Sequence, residues 1–217
     1  MGPLARGVAG GGDRLSRRAL KGGSVLAVGT AVERLARLGR NMILARLIAP
    51  EHFGTMAIIL AAVALFEALL EVGIAQAVIQ NPQGMTAGFL NVAWWLSTIR
   101  GVLLYGIAAA LSPVIAWVYD NSELVPLLCV AFLTIVFNGA ASPKIYALQR
   151  EFRFGANVVV IQGAGLVGTV ATIAFAFSYP SVWVLVWGTV LEAFVRLVLS
   201  FALCPIRPRF SLDRDSL

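Results

Sequence analysis

Apolar positions in this chain fall in long, nearly continuous runs, not in the short alternations of strands or the one-sided stripes of soluble helices. A helix needs about 20 largely apolar residues to cross the hydrocarbon core of a bilayer. Six segments meet that requirement: 22–47, 54–80, 87–118, 124–148, 155–177 and 181–203. Between them lie short polar or turn-forming breaks, Ala49-Pro50-Glu51-His52, Asn81-Pro82-Gln83-Gly84, Asp120-Asn121-Ser122-Glu123 and Ser178-Tyr179-Pro180. The pattern predicts an all-α integral membrane protein: a basic segment 1–21, a six-transmembrane-helix bundle over 22–203 with antiparallel neighbours, and a tail 204–217.

Composition supports this reading. The chain is 59% hydrophobic and 13% charged, against roughly 45–50% and 25% for soluble domains. A water-soluble core of this size cannot hide that much apolar surface. The net charge of +6 does not point to nucleic acid, because the basic residues sit at the ends of apolar runs and within them. Phospholipid headgroups and a buried polar site account for that placement better. Lys and Arg cluster on the cytoplasmic side of membrane proteins. With the amino terminus inside, that side collects Arg6, Arg14, Arg17, Arg18, Lys21, Arg150, Arg153, Arg207, Arg209 and Arg214, against Arg46 alone opposite. Trp94, Trp95, Trp117 and Trp183 lie near the expected helix ends, as an interfacial belt requires. Cys129 and Cys204 stand in apolar runs without CxxC or histidine context, so neither a disulfide framework nor a metal site is expected.

Several motifs resolve into plainer features. Gly163-Ala164-Gly165-Leu166-Val167-Gly168 satisfies GxGxxG, but a dinucleotide-binding helix needs a polar face that Thr169–Phe177 does not offer. Small residues that let two membrane helices approach, such as the pair Ala164 and Gly168, explain it better. Ser16-Arg17-Arg18 resembles a twin-arginine signal. The stretch after it, however, meets Glu33 and three arginines and precedes five more spans. His52 is the sole histidine, which removes catalytic dyads and histidine-based metal clusters. No catalytic residue, metal ligand or cofactor is expected.

Ionisable groups at membrane depth are costly and default to function or tight pairing. Glu33, Arg37 and Arg40 lie within about 60° of one another on a helix, with Gly29, Thr30 and Asn41 nearby on the same face. Glu67 and Glu71 are four apart and share a face, which suits ion coupling. Arg100 is mid-span and needs a partner from another helix. Glu192 and Arg196 are spaced i, i+4 and can neutralise each other, as a structural or a coupling ion pair. A basic face implies a cavity, and guanidinium groups hold phosphate oxygens in a two-pronged geometry. Arg37, Arg40 and Arg100 are therefore expected to bind a lipid-attached diphosphate.

Four stretches resemble a known family. Leu44-Ala45-Arg46-Leu47-Ile48-Ala49-Pro50-Glu51-His52-Phe53-Gly54 is similar to the LARLLSPEDFG signature of polysaccharide-type flippases in the multidrug/oligosaccharidyl-lipid/polysaccharide exporter superfamily. Glu71–Gln80 resembles DLGLGAALVQ, Ala147–Phe154 resembles ALLQRELRF, and Val182–Gly188 resembles GVWALVWG, in the family's order and spacing. The resemblance implies flipping of undecaprenyl-diphosphate-linked oligosaccharides across the bacterial inner membrane, with a cationic cavity between two six-helix lobes. This chain matches the first lobe, and its tail looks like a shortened interlobe connection. A fragment, a half-transporter pairing with itself or a second chain, and an inactive remnant all remain open. The competing readings are a drug/cation antiporter of the same superfamily and a non-transporting membrane interaction protein.

Overall fold

The computed structural model describes residues 5–71, 78, 80, 86–146 and 154–206. The expected loop 81–84, the stretch 147–153 and most of the tail, with Arg150, Arg153, Arg207, Arg209 and Arg214, lie outside the described residues. Helix α1 spans Ala5–Leu47, α2 Pro50–Glu71, α3 Ala87–Val118, α4 Leu124–Ala131 and α5 Leu133–Ala140. After these come α6 (Phe154–Val158), a π-helical turn at Val159–Gly163, α7 (Ala164–Ser178) and α8 (Val182–Leu203). The described residues contain no strand, and the protein is an all-α membrane bundle.

Among the described residues, four stretches are long and apolar enough to cross a membrane by length and composition: Pro50–Leu70, Ala87–Val118, Gly155–Ser178 and Val182–Leu203, at mean hydropathies of 1.9 to 2.2. Helix α1 has ample length but carries Glu33, Arg34, Arg37, Arg40 and Arg46, so it does not meet the apolar criterion. It also begins well before residue 22, at Ala5, in a segment that contains no proline. The outer surface is apolar, as a bilayer demands. Leu96, Ile99, Leu103, Ile107, Leu111, Val114 and Val118 form an exposed stripe along α3. Aromatic residues mark the ends, with Trp117 and Tyr119 exposed at the close of α3 and Tyr179 and Trp183 at the α7–α8 turn.

The core joins the end of α1 to α2, α4, α5 and α8 through Leu44, Ile59, Phe66, Leu128, Phe132 and Val186. Phe132 is fully buried and meets Phe66 edge to face at 5.4 Å, the arrangement that ring quadrupoles favour. Phe132 also stands at the one-residue turn between α4 and α5, which continue one another over 124–140. Helices α3 and α5 approach most closely at Gly101 and Gly139. A Cβ on Gly139 would lie 2.9 Å from the Ser97 carbonyl oxygen and 3.2 Å from Gly101 Cα.

The helix ends follow their sequences. Thr86 caps α3 by accepting from Phe89 N–H. Asp120 closes α3 in the left-handed region at φ 47°, which aspartate tolerates. Asp120 N–H and Asn121 N–H then return to the Trp117 and Ala116 carbonyls, at 3.2 and 3.0 Å, closing the helix in a Schellman arrangement. The fourth apolar run is not one uninterrupted helix to residue 148. It breaks at Ala141, whose backbone is extended, two residues before Pro143, which cannot donate a helical N–H and keeps Ser142 out of helical geometry. Ser142 stitches the break to α8: its N–H donates to Ser200 Oγ at 3.0 Å and its hydroxyl to the Cys204 carbonyl at 2.8 Å.

Candidate functional site

Five of the charged positions read from the sequence, Glu33, Arg37, Glu67, Glu192 and Arg196, meet inside the bundle. On α1, Glu33 and Arg37 are one turn apart, and Arg37 Nε donates to Glu33 Oε1 at 2.6 Å. Arg37 Nη2 reaches across to α8 and donates to Glu192 Oε1, also at 2.6 Å. The same Glu192 oxygen accepts from Arg196 Nη2 at 3.2 Å. Arg196 Nη1 lies 3.5 Å from Asn138 Oδ1 on α5, and Asn138 Nδ2 donates to Glu67 Oε1 on α2 at 2.6 Å. One polar chain thus links α1, α8, α5 and α2.

Two cavities adjoin this chain. The larger, about 220 Å³, is lined by Arg37, Glu67, Asn138, Thr189, Glu192 and Arg196 among its polar groups, with Ile59, Leu60 and Val63 as apolar wall. The other, about 180 Å³, lies at the Ala141–Pro143 break and shares Asn138 and Arg196 with the first. Side-chain exposure grades across the site: 39% for Arg37, 30% for Arg196 and 9% for Glu192. The carboxylate is buried and the two guanidinium groups around it reach the open space. Arg40 is half-buried one turn beyond Arg37, with Nε 3.5 Å from Asn41 Oδ1.

Small residues make this approach possible. A Cβ on Gly165 would lie 2.8 Å from Glu33 Oε1, and one on Gly168 would lie 2.8 Å from Glu192 Cβ. The last two glycines of the GxGxxG run, Gly165 and Gly168, therefore sit on α7 as a surface against which the acidic residues of α1 and α8 pack. Gly188 on α8 meets the Thr172 hydroxyl on α7 more closely still. The π-turn adds a further tie to α1, since Gln162 Nε2 donates to Thr30 Oγ1 at 3.2 Å and Gly29 packs on Val158. π-Turns of this kind offset the ladder by one residue and often mark functional positions.

The structure brings Arg37, Glu67, Glu192 and Arg196 to one cavity, with Arg40 beside them on α1. Arg100 is half-buried on α3 next to Gly101 and lines neither cavity. Glu71 ends α2, and its side chain lies outside the described residues. The face that reads as basic in the sequence is answered by carboxylates, because bare guanidinium groups at membrane depth would be unstable. Asn138 was missed by sequence reasoning. A lone amide inside an apolar run is its only signal. The Glu192–Arg196 pair, the most structural-looking of the set, turns out to join both arginines of the cavity. Among the described residues no group of three or more His, Cys, Asp or Glu side chains could hold a metal ion.

The profile of the family described as "Polysaccharide biosynthesis protein" matches residues 43–217, which include Glu67, Asn138, Glu192 and Arg196 but begin after Arg40. The chain is also similar to the lipopolysaccharide biosynthesis protein WzxC of Escherichia coli (strain K12), at 25% identity over 185 residues. That alignment covers 85% of this chain and 37% of the relative, so the chain spans well under half the relative's length. No solved structure matches the chain. With the profile match running over most of its length, the chain belongs to the polysaccharide biosynthesis protein family.

Proposed function

We propose that this chain is one lobe of a flippase that carries undecaprenyl-diphosphate-linked oligosaccharides across the bacterial inner membrane, with its amino terminus in the cytoplasm. The observation that carries the reading is the cavity itself: Arg37, partly exposed, lines a polar pocket of about 220 Å³ in a bundle whose outer surface is apolar. Guanidinium groups suit the oxygens of a diphosphate, and the undecaprenyl tail can stay in the lipid while the headgroup crosses a polar path. Membership of a polysaccharide biosynthesis family and likeness to a lipopolysaccharide biosynthesis protein support the substrate class. The second lobe would be another copy, a separate chain or the remainder of a longer protein. Two lobes of the same orientation can pair about an axis normal to the membrane. Within this reading Arg37 contacts the diphosphate with Arg40 beside it on α1, Arg100, which lines neither cavity, acts from α3 elsewhere on the headgroup's path, and Glu67 and Glu71 exchange the coupling ion.

The test replaces Arg37 and Arg40 with alanine in the complete assembly and expresses it in a strain lacking its own flippase. Glycan export should fall to background while lipid-linked oligosaccharide accumulates on the cytoplasmic leaflet. Undiminished export in the double variant, at equal protein level, sinks the assignment.

A further inference from the structure

Arg37 already holds two anions. A guanidinium offers its side-on fork, Nε and Nη2, to the two oxygens of a phosphate. Here Nε is taken by Glu33 and Nη2 by Glu192, each at 2.6 Å. A phosphate that enters this cavity must displace a carboxylate before it can use that fork. The two carboxylates differ in what they lose. Glu33 is on the same helix as Arg37, whereas Glu192 has a second cation, Arg196 Nη2, at 3.2 Å on its own helix. When Arg37 leaves, Glu192 remains paired, so a buried carboxylate is not stranded. The tie is also free to exchange without unpacking helices. Helix α1 rests on the α6–π–α7 segment, and at this level it reaches α8 through side chains.

We propose, building on the phosphate-site reading above, that Glu192 is a resident competitor for the ligand's phosphate. On binding, a phosphate oxygen replaces Glu192 Oε1 at Arg37 Nη2, and Glu192 stays on Arg196. On release, the carboxylate returns to Arg37 and expels the anion. Glu192 is thereby a specificity-determining residue. It selects ligands that carry more charge than a carboxylate, such as a diphosphate, and keeps the site weak enough to let them go. Exchange of one anion for another at a fixed cation also avoids exposing a bare guanidinium at any stage.

The experiment measures binding of farnesyl diphosphate to the full chain in nanodiscs, with farnesol as the uncharged control. The wild type should bind the diphosphate in an Arg37-dependent way, and Arg37→Ala should abolish that binding. Glu192→Gln, which keeps the shape and removes the competing charge, should tighten it by about tenfold or more, the size of one charge-assisted contact. Adding Glu192→Gln to Arg37→Ala should change nothing further. If Glu192→Gln does not yield folded protein, Glu192→Asp serves, since it withdraws the carboxylate from Arg37 and should tighten binding in the same direction. Arg37-dependent binding that is unchanged or weaker in the folded Glu192 variant overturns the inference and leaves the phosphate site standing. Binding equal to that of farnesol in every variant, or insensitive to Arg37→Ala, overturns both.

Discussion

Replacing Gly168 with alanine should damage the bundle far more than the same change at Gly106, although both are helix-interior glycines. At Gly168 the new Cβ would stand 2.8 Å from Glu192 Cβ, 3.3 Å from the Gly188 carbonyl oxygen and 3.4 Å from Glu192 Cα. None of these atoms can turn aside by changing a rotamer. Carbon atoms rest at about 3.5–4.0 Å, so α7 and α8 must separate by several tenths of an ångström or more. Overpacking of this kind costs about 1–3 kcal/mol. At Gly106 a Cβ meets nothing within 4 Å. Both variants gain the same backbone contribution, about 1 kcal/mol for Gly→Ala in a helix, so the difference between them isolates the packing cost. Reversible unfolding in mixed micelles should place Gly168→Ala about 1–3 kcal/mol below Gly106→Ala. Equal stability for the two variants would refute the close-packing account of the GxGxxG run.

Three further outcomes follow from the same geometry. Phe132→Ala, which empties the fully buried turn of α4–α5 and removes its ring contact with Phe66, should lose about 3–5 kcal/mol in the same unfolding assay. Asn138→Leu cuts the link between Glu67 and Arg196 and should cost about 1–3 kcal/mol; a double-mutant cycle with Glu67→Gln should give clearly less than additive losses. Trp94→Phe keeps an aromatic ring but shrinks it and deletes the Nε1–H bond of 2.8 Å to the Ala140 carbonyl at the helix break, a loss of at least about 1 kcal/mol.

Much of this arrangement was legible in the sequence, and the limits have physical causes. Glu33 and Arg37 share a face because helical periodicity fixes it, and Glu192 and Arg196 pair for the same reason. What periodicity cannot supply is the link between Arg37 and Glu192, 155 residues apart in sequence. That link depends on how α1 and α8 both pack on α7 through Gly165 and Gly168. The break at Ala141 is marked in the sequence only by Pro143, a single residue inside an apolar run that is otherwise long enough for one continuous helix. The π-turn at Val159–Gly163 has no comparable mark; it emerges from packing against α1, where Gln162 meets Thr30. The basic face was visible, whereas its neutralisation was not, because the answering carboxylate comes from another helix.

The central claim, that the Arg37–Glu192 cavity holds the headgroup of a lipid-linked oligosaccharide, is tested most directly by occupancy in native membranes. A small diazirine amino acid in place of Thr189, which lines the cavity, should on irradiation crosslink to undecaprenyl-diphosphate-linked glycan, and the crosslink should vanish when Arg37→Ala is added. The same probe at Leu103, on the lipid-facing stripe of α3, should capture phospholipid instead. Absence of glycan at Thr189, or capture there that persists without Arg37, would contradict the account.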